Sequence, residues 1–325
     1  MNNYSVRTYQ KSDKTRWDEF VRDSKNGTFL FLRDFMEYHE DRFSDASLLV
    51  FKQDNLVALL PANQHDKVVH SHQGLSYGGI LLKKRSKFEE VHQVYKSVLV
   101  YLENHGVSKL HLKLIPSFYT THPSEELNYL LFLTESILHR VHLTSVIDYR
   151  SRMPIQGNRK EGVKKAERAG LTIKEEDVFE PFWQEILIPN LELRHGAKPV
   201  HSTEEITRLA KAFPKNIHQF NVYHKEEIVA GCTIFETKTT AHVQYISANS
   251  DRQQLGSLDL LFQFLIEERF SDKGFFDFGT SNENQGLNVN GGLLYWKECF
   301  GARSKACYFY EVDPSNHTQL DTVII

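Results

Sequence analysis

Two neighbouring stretches decide the fold of this chain: Phe275-Phe-Asp-Phe-Gly-Thr-Ser-Asn-Glu-Asn-Gln-Gly-Leu-Asn288 and Gly291-Gly-Leu-Leu-Tyr-Trp-Lys-Glu-Cys-Phe-Gly301. The first opens on a short apolar run, which predicts a strand over residues 275–279. The second carries Tyr295, Trp296 and Phe300, whose simplest role is packing in a core. The apolar run follows an amphipathic helix predicted for residues 257–270. These stretches therefore belong to a domain in which a helix leads into a strand.

An internal repeat extends this pattern to the first half of the chain. Val50-Phe-Lys-Gln-Asp-Asn-Leu-Val-Ala58 matches Val222-Tyr-His-Lys-Glu-Glu-Ile-Val-Ala230 at a constant offset, and both predict strand, polar turn and strand. After each hairpin come an amphipathic helix, residues 88–104 or 257–270, and an apolar run, residues 109–115 or 275–279. Gly106 and Gly274 lie where a helix C-terminus favours a left-handed residue. Each half is therefore predicted to form a mixed sheet with helices on its faces.

The boundary between the halves is predicted near residue 152, because Pro154-Ile-Gln-Gly157 precedes a polar segment that opens a basic helix. We expect a mixed α/β (α+β) chain of two domains, residues 1–152 and 153–325. Each has a mixed, mostly antiparallel sheet flanked by helices. The tail, residues 313–325, is polar apart from its last three residues and is expected to add little.

Composition limits the kind of protein. The chain has 325 residues, 40% of them hydrophobic, which is enough for two cores. A charged fraction of 25% with a net charge of −3 excludes a disordered composition and a general excess of positive charge, so any phosphate site must be local. No run of apolar residues is long enough for a membrane span and the start lacks the core of a signal peptide, so a cytoplasmic protein is expected.

A polar loop in the second half is the predicted site for a phosphorylated ligand. Ala241–Ser247 predicts a strand, residues 248–256 a polar turn, and Ser257 the start of a helix. Such a turn directs backbone N–H groups and a guanidinium toward one point, which suits a pyrophosphate. The candidate cofactor-binding residues of this loop are Ser247, Ala248, Asn249, Arg252, Gln253, Gly256 and Ser257.

These motifs resemble those of a known superfamily. Gln253-x-x-Gly256 resembles the coenzyme A pyrophosphate loop of GNAT acetyltransferases, Q/R-x-x-G-x-G/A, although Leu258 replaces the last small residue. The Phe-Asp-Phe-Gly-x-Ser and Trp-Lys-x-x-Phe-Gly segments are similar to those of FemAB-like proteins, which are tandem GNAT enzymes. The resemblance implies two GNAT-like domains, the first degenerate and the second with the donor loop. It also implies a reaction centre at Ser281, Asn282 and Glu283, with Lys297 near the phosphates of the acyl donor.

The basic helix at the junction has two interpretations. Lys160, Lys164 and Arg168 follow one another at four-residue spacing on one helix face. FemAB-like proteins carry a similar basic stretch, which implies a phosphorylated substrate or RNA held by residues such as Arg159 and Lys160. The alternative is a solvated helix face with a Glu161–Lys165 ion pair.

A second polar segment supplies candidates for the acceptor site. Residues 192–201 contain Gly and Pro and precede a helix opened by Ser202, with Glu205 completing a capping box. In GNAT folds the early helices and their loop cover the acceptor. The resemblance therefore implies that this loop holds a polar or anionic acceptor. Its candidate residues are Arg194, His195, Lys198 and His201.

The implied chemistry is direct attack of an amine on a thioester, which needs a base, oxyanion donors and an acid for the leaving thiolate. Glu283 or His195 is the candidate base, the backbone near Ser247–Asn249 the oxyanion site, and Tyr295 or Tyr245 the acid. The predicted function is acyl transfer from acyl-CoA, such as acetyl-CoA, to an amine such as an amino sugar or a cell-envelope precursor. The alternative within the family is transfer from aminoacyl-tRNA.

Two other classes compete with the acyltransferase. Gly74-Leu-Ser-Tyr-Gly78 fits the G-x-S-x-G elbow of serine hydrolases, with Ser76 as nucleophile. The residues that follow predict another strand, however, whereas an elbow needs a helix there. A non-catalytic binding module is the remaining class. His65, His70 and His72 lack the spacing of a metal site, and we expect no metal.

Overall fold

The structure is a computed structural model, and it describes residues 3–324, except for the side chains of Arg194 and His195. The chain divides into two compact units. Unit 1 consists of residues 1–142 and 306–325, and unit 2 of residues 143–305. Among the described residues, no helix has both the length and the apolar character needed to cross a bilayer.

Seventeen strands and ten α-helices follow one another along the described chain. The strands are β1 (Tyr4–Thr8), β2 (Ser44–Asp45), β3 (Leu48–Lys52), β4 (Asn55–Leu60), β5 (Asn63–His65), β6 (Val68–His70), β7 (Leu81–Leu82), β8 (Lys109–Lys113), β9 (Ile137–Asp148), β10 (Leu171–Glu176), β11 (Ile217–His224), β12 (Glu227–Glu236), β13 (Thr240–Ala248), β14 (Phe275–Thr280), β15 (Asn282–Glu283), β16 (Asn288–Val289) and β17 (Arg303–Val312). The α-helices are α1 (Lys14–Asp23), α2 (Arg33–Met36), α3 (Phe88–Asn104), α4 (Glu126–Leu133), α5 (Gly157–Arg168), α6 (Ile188–His195), α7 (Thr203–Ala212), α8 (Arg252–Leu255), α9 (Ser257–Phe264) and α10 (Gly291–Cys299). The π-helical turns Phe182–Leu187 and Leu265–Arg269 precede α6 and extend α9.

Unit 1 is built on two groups of strands. In one, β1, β3, β4 and β7 pair antiparallel in that order. In the other, β2, β5 and β6 pair antiparallel, β6 runs parallel to β8, and β17 pairs antiparallel with β8. The apolar face of α3 packs on this framework, with Val94, Val98 and Leu99 fully buried in the core.

Unit 2 is built on one continuous series of longer strands. β10, β11, β12 and β13 form an antiparallel series. β13 then runs parallel to β14, and β14 pairs antiparallel with residues 144–148 of β9. α9 covers this sheet, and its Leu261 and Phe262 pack against Phe276 of β14 in a fully buried core.

The nine-residue repeat is present in the structure as two equivalent hairpins. Val50 pairs with Ala58 across β3 and β4, and Val222 pairs with Ala230 across β11 and β12. In both hairpins the register shifts directly after that valine. The turn residues Gln53 and Lys225 both have a positive φ. The two hairpins therefore share bulge and turn geometry as well as sequence.

The units are not bounded where the sequence suggests. Residues 144–148 pair with β14, so the chain has entered unit 2 before residue 152. Residues 309–312 of β17 pair with β8, which returns the end of the chain to unit 1.

The tail, residues 313–325, was expected to add little to the fold, and that expectation was wrong. In this tail a 3₁₀ helix, Pro314–Leu320, packs on α3. Leu320 is fully buried, and its carbonyl oxygen accepts a hydrogen bond from His92 Nε2 at 2.8 Å.

The prediction of a left-handed glycine after each long helix is confirmed for Gly106 and wrong for Gly274. Gly106 follows α3 with a φ of +72°. Gly274 is not left-handed, because the second helix ends earlier, through the π turn at Leu265–Arg269, and Gly274 immediately precedes β14.

Candidate active site

The parallel pair β13–β14 separates in the middle of the unit 2 sheet. The two strands are paired only from Thr240 to His242 against Phe275 to Asp277. β13 continues beside β12 to Ala248, whereas β14 shifts register and joins Thr144 of β9. A gap therefore opens in the sheet immediately after His242 and Asp277. The strand edges facing such a gap offer backbone hydrogen-bonding groups to an extended ligand.

A β-bulge lies in β13 next to this gap. Val243 pairs with Ile234 and Tyr245 with Thr233, so Gln244 is the extra residue. Bulges turn backbone groups out of the ladder and often lie beside active sites. The side-chain Oε1 of Gln244 is buried and has no hydrogen-bond partner among the described residues. The bulge thus provides polar groups that the sheet does not use.

His242 and Asp277 form a hydrogen-bonded pair at the point of separation. His242 Nδ1 lies 2.8 Å from Asp277 Oδ2. Asp277 is only 3% exposed, and its Oδ1 also accepts from Thr144 Oγ1 and, at 2.8 Å, from the backbone N–H of Gly279. Because a carboxylate only accepts, Nδ1 carries the proton in neutral His242. The imidazole is therefore fixed with Nε2 on the side away from the carboxylate.

Lys297 of α10 is buried beneath the end of β14. Its side chain is 3% exposed, and Nζ donates to the carbonyls of Gly279 at 2.9 Å and Thr280 at 2.8 Å. Burial lowers the pKa of Lys297 to about 8, although Asp277 acts in the opposite direction. The ammonium thus ties α10 to the bend in β14, where Gly279 has a φ of +74°. A contact with the phosphates of an acyl donor stays a prediction.

The polar residues after β14 take different positions. Asn282 Oδ1 accepts from Leu143 N at 2.6 Å and from Thr280 Oγ1 at 2.9 Å, so it fastens β14 to β9. Ser281 is buried, and its Oγ has no partner among the described residues. Glu283 lies exposed in the β15–β16 hairpin and accepts from Asn290 Nδ2 at 3.0 Å. Of these three, only Ser281 has an unused buried polar group.

Tyr295, the candidate acid, lies on the exposed side of α10. A hydrogen bond with Cys299 raises the pKa of its phenol. A higher pKa makes the phenol a weaker proton donor.

The start of the predicted donor loop is held by the Asn190 side chain of α6 and by one backbone hydrogen bond to β12. Asn190 Nδ2 donates to Ser247 Oγ at 2.9 Å and to the Ala248 carbonyl at 2.7 Å. The backbone N–H of Asn249 donates to the Val229 carbonyl at 2.9 Å. The N–H of Asn249 is therefore already used by the hydrogen bond to β12, and an oxyanion site on the backbone near Ser247–Asn249 stays a prediction. Beyond Asn249, Gln253 is exposed.

The glycine of the Gln-x-x-Gly motif serves helix packing. Gly256 has a φ of +69°, and a Cβ there would lie 2.1 Å from the Gly162 carbonyl oxygen of α5. Gly162 is equally constrained, since its Cβ would lie 1.7 Å from Asp259 Oδ2. Asp259, in the first turn of α9, pairs with Arg159 at 2.9 Å. The start of α9 therefore packs against α5 and carries a carboxylate in its first turn, and pyrophosphate binding there stays a prediction.

The basic helix face is solvent-exposed as predicted from its spacing. Lys160, Lys164 and Arg168 are all exposed on α5. The ion pair on this face joins Lys164 to Glu161 at 3.1 Å; the expected partner of Glu161 was Lys165. Arg159 is half-buried in its pair with Asp259 and is separate from the exposed cations.

The predicted acceptor cluster is divided. His201 is buried, with Nδ1 2.6 Å from Tyr245 Oη. Burial raises the pKa of Tyr245 to about 12, which makes it a poor acid near neutral pH. Lys198 is exposed. The side chains of Arg194 and His195 lie outside the described residues. His201 and Tyr245 thus join the loop to β13.

The hydrolase elbow is absent from the described chain. Ser76 is exposed in a turn after β6. Gly78 forms an isolated parallel β-bridge with Leu114, the residue directly after β8. The next helix, α3, begins only at Phe88. Among the described side chains, which exclude that of His195, no three of His, Cys, Asp or Glu are grouped so that they could hold a metal ion.

Comparison with known proteins identifies the fold. No protein-family model and no curated protein sequence matches the chain. The crystal structure of FemX is similar over 98% of this chain and 99% of its own, with a TM-score of 0.67 and 10% identity. The C-terminal domain of a putative lysylphosphatidylglycerol synthetase from Agrobacterium fabrum matches over 95% of both chains, with a TM-score of 0.59 and 13% identity.

A tandem GNAT protein from the clavulanic acid biosynthesis pathway matches over 96% of this chain and 98% of its own, with a TM-score of 0.53 and 10% identity. These structures cover both halves of the chain, in agreement with the two equivalent hairpins and the two parallel strand pairs. The chain therefore has the FemAB-like, tandem GNAT fold.

Proposed function

We propose that unit 2 is an acyltransferase that moves an acyl group to an amine acceptor in the gap between β13 and β14. The observation that carries this proposal is the His242–Asp277 pair at the point where the strands separate. A fixed imidazole beside a strand gap combines a proton acceptor with backbone groups that can bind an acyl carbonyl. The predicted candidates Glu283, Tyr295 and His195 are secondary to His242 in this proposal.

The proposed reaction needs no nucleophilic side chain. The acceptor amine attacks the acyl carbonyl, a C–N bond forms, and the bond from that carbonyl carbon to the sulfur or oxygen of the donor breaks. Nε2 of His242 takes the proton that the amine loses and passes it to the sulfur or oxygen of the leaving group. Backbone groups of β13, between the Gln244 bulge and the predicted stretch Ser247–Asn249, stabilise the oxyanion. Asp277 is a positioning residue, because it acts on the reaction through His242.

For the acyl donor, acyl-CoA such as acetyl-CoA is the first candidate. The exposed loop around Gln253, with Arg252 beside it, follows directly from β13 and is open to a phosphorylated ligand. The acceptor is proposed to be an amino sugar or another amine of a cell-envelope precursor. The negative charge of Asp259 in the first turn of α9 argues against tight binding of the pyrophosphate at the N-terminus of this helix.

Aminoacyl-tRNA is the second candidate donor, and two observations favour it. The exposed cations of α5, Lys160, Lys164 and Arg168, form a face suited to phosphates of RNA. Gly256 and Asp259 are committed to packing and ion pairing with α5, which leaves less of the helix start for coenzyme A. Both donors deliver an acyl carbonyl to the same gap, so the proposed chemistry at His242 is common to them.

The test is transfer measured with acetyl-CoA and with aminoacyl-tRNA against a panel of amines, for the wild type and His242→Gln. The variant is expected to lose activity by about 10²- to 10⁴-fold, as for loss of a general base. His224→Gln, at the end of β11, is the matched control and should keep full activity. An unchanged rate and pH profile in His242→Gln would overturn the role of His242. Binding of neither donor in calorimetry would overturn the proposal in favour of a binding module.

A further inference from the structure

Unit 1 contains its own separating parallel strand pair. β6 and β8 are paired from Val68 to His70 against Lys109 to His111, with His70 and His111 the last partners. The chain then leaves β8 after Ser71 and returns at Gly78, whose N–H donates to the Lys113 carbonyl at 2.6 Å. His70 thus occupies in unit 1 the register position of His242 in unit 2, and His111 that of Asp277. The His111 imidazole of unit 1 therefore occupies the position that the Asp277 carboxylate has in unit 2.

A pocket of about 300 Å³ lies at this point of unit 1. It is lined by residues 70–73, 111–113, His139, Arg140 and Phe309. Gln73 and His139 are exposed at its opening, whereas Ser71 and His72 are buried. The pocket is therefore open to solvent on one side and closed by strands on the other.

Positive charge is concentrated in this pocket. Lys113 Nζ donates to the Leu75 carbonyl at 2.8 Å, and burial together with the nearby Arg140 lowers the pKa of Lys113 to about 8. The Arg140 guanidinium lies over the Phe309 ring at 4.0 Å. Arg140 Nε and the neighbouring His142 Nε2 are buried without a hydrogen-bond partner among the described residues. Two cations and two unused polar nitrogens therefore meet beside one pocket.

None of the described residues that line the pocket is acidic, so none of them balances these cations. The nearby Glu311 is engaged by Lys109 at 2.5 Å and by His111 at 3.3 Å. Neither Lys113 nor Arg140 has an ion-pair partner in the described chain. Both side chains are half-buried, and cations withdrawn from water without a carboxylate are stabilised when a bound anion completes the site.

We infer that this pocket binds the phosphoryl group of a small molecule, such as a phosphate ester or diphosphate. A phosphoryl dianion matches both Lys113 and Arg140, and its several oxygens can accept from the guanidinium and from imidazole N–H groups. A carboxylate would balance only one of the two cations. The inference does not depend on the proposed acyl transfer, because it concerns binding in unit 1 alone.

The test is calorimetric titration of the full chain with pyrophosphate, inorganic phosphate and acetate at about 0.15 M ionic strength, where exposed charges are screened. Pyrophosphate is expected to bind better than acetate. Arg140→Gln should weaken pyrophosphate binding by at least about tenfold, the loss of one charge-assisted contact. Arg85→Gln, an exposed arginine of the same unit, is the matched control and should bind as the wild type does.

A second variant avoids any change in the buried part of the pocket. Gln73→Glu adds a negative charge at the exposed opening, keeps the acceptor for Asn63, and should also weaken pyrophosphate binding. His242→Gln should leave binding unchanged, so failure of the acyltransferase proposal would not affect this result. Equal binding of acetate, or equal losses in Arg140→Gln and Arg85→Gln, would overturn the inference.

Discussion

At the scale of single residues, Lys297 has a measurable consequence for stability. Its pKa is lowered from 10.5 to about 8 by burial, so the native state releases this proton at lower pH than the unfolded chain does. Between these values the unfolded state binds more protons, and the free energy of unfolding therefore rises with pH. Relative to Lys297→Met, which cannot titrate, the wild type should gain about 2 kcal/mol between pH 7 and pH 9.5.

The measurement is urea unfolding of both proteins at the two pH values. Only the change in their difference matters, because all other titrating groups are shared. A difference that stays constant with pH would mean that the Lys297 ammonium is not buried at a cost in the native state.

Single residues also mark the limit of prediction from sequence. The motif predicts the polar residues after β14 as site residues, whereas neither His242 nor Asp277, on which the proposed reaction depends, is predicted from the sequence. They are 35 residues apart and meet only through the parallel register of β13 and β14. One signal was available: Asp277 lies between two phenylalanines in an apolar strand, and a buried carboxylate requires hydrogen-bond donors. That signal does not identify the donor.

At the scale of elements, the packing of α5 on α9 predicts opposite outcomes for two glycines of one helix. Gly157→Ala should be neutral or slightly stabilising, because nothing lies within 4 Å of its Cβ position and alanine favours a helix. Gly162→Ala should destabilise by about 1–3 kcal/mol, because its Cβ would overlap Asp259 Oδ2 and displace the Arg159 ion pair. Helix propensity alone would give both changes the same sign.

Chemical unfolding of the two variants beside the wild type measures this contrast. Stabilisation by Gly162→Ala would show that α5 does not approach α9 as closely as described. The comparison also concerns the predicted donor loop, because Gly256 of that loop lies against the backbone of Gly162.

Elements with strong local signals were predicted well. α3 has the predicted range, and α7 begins with the predicted Ser202–Glu205 capping box. The π turn after α9 has no local signal, because its apolar spacing is that of an ordinary helix. The pairing of β17 with β8 joins residues far apart in sequence, which periodicity does not report.

At the scale of the whole molecule, one fold appears twice with different chemistry at the same register position. In unit 2 the last parallel pair is His242 with Asp277, and in unit 1 it is His70 with His111. We propose that the first pair takes up a proton, and that the pocket beside the second pair, with Lys113 and Arg140, binds a phosphoryl group. The overall charge of −3 does not report this difference, because the positive charge of the pocket lined by Lys113 and Arg140 is local. On these two proposals, the repeat supplies similar frameworks for two different sites.

The path of the chain gives the last prediction. Unit 1 is completed only by residues 306–325, and Leu320 is fully buried in its core beside α3. Leu320→Ala should destabilise the protein by about 2–5 kcal/mol, the cost of a large-to-small change in a core. Leu287→Ala, at a leucine that is 86% exposed, is the matched control and should change stability little. Hydrogen exchange should show the largest loss of protection in α3 and β8, since the tail packs on α3 and β17 pairs with β8. Equal, small effects of the two substitutions would mean that the tail is not part of the core, as its polar composition first suggested.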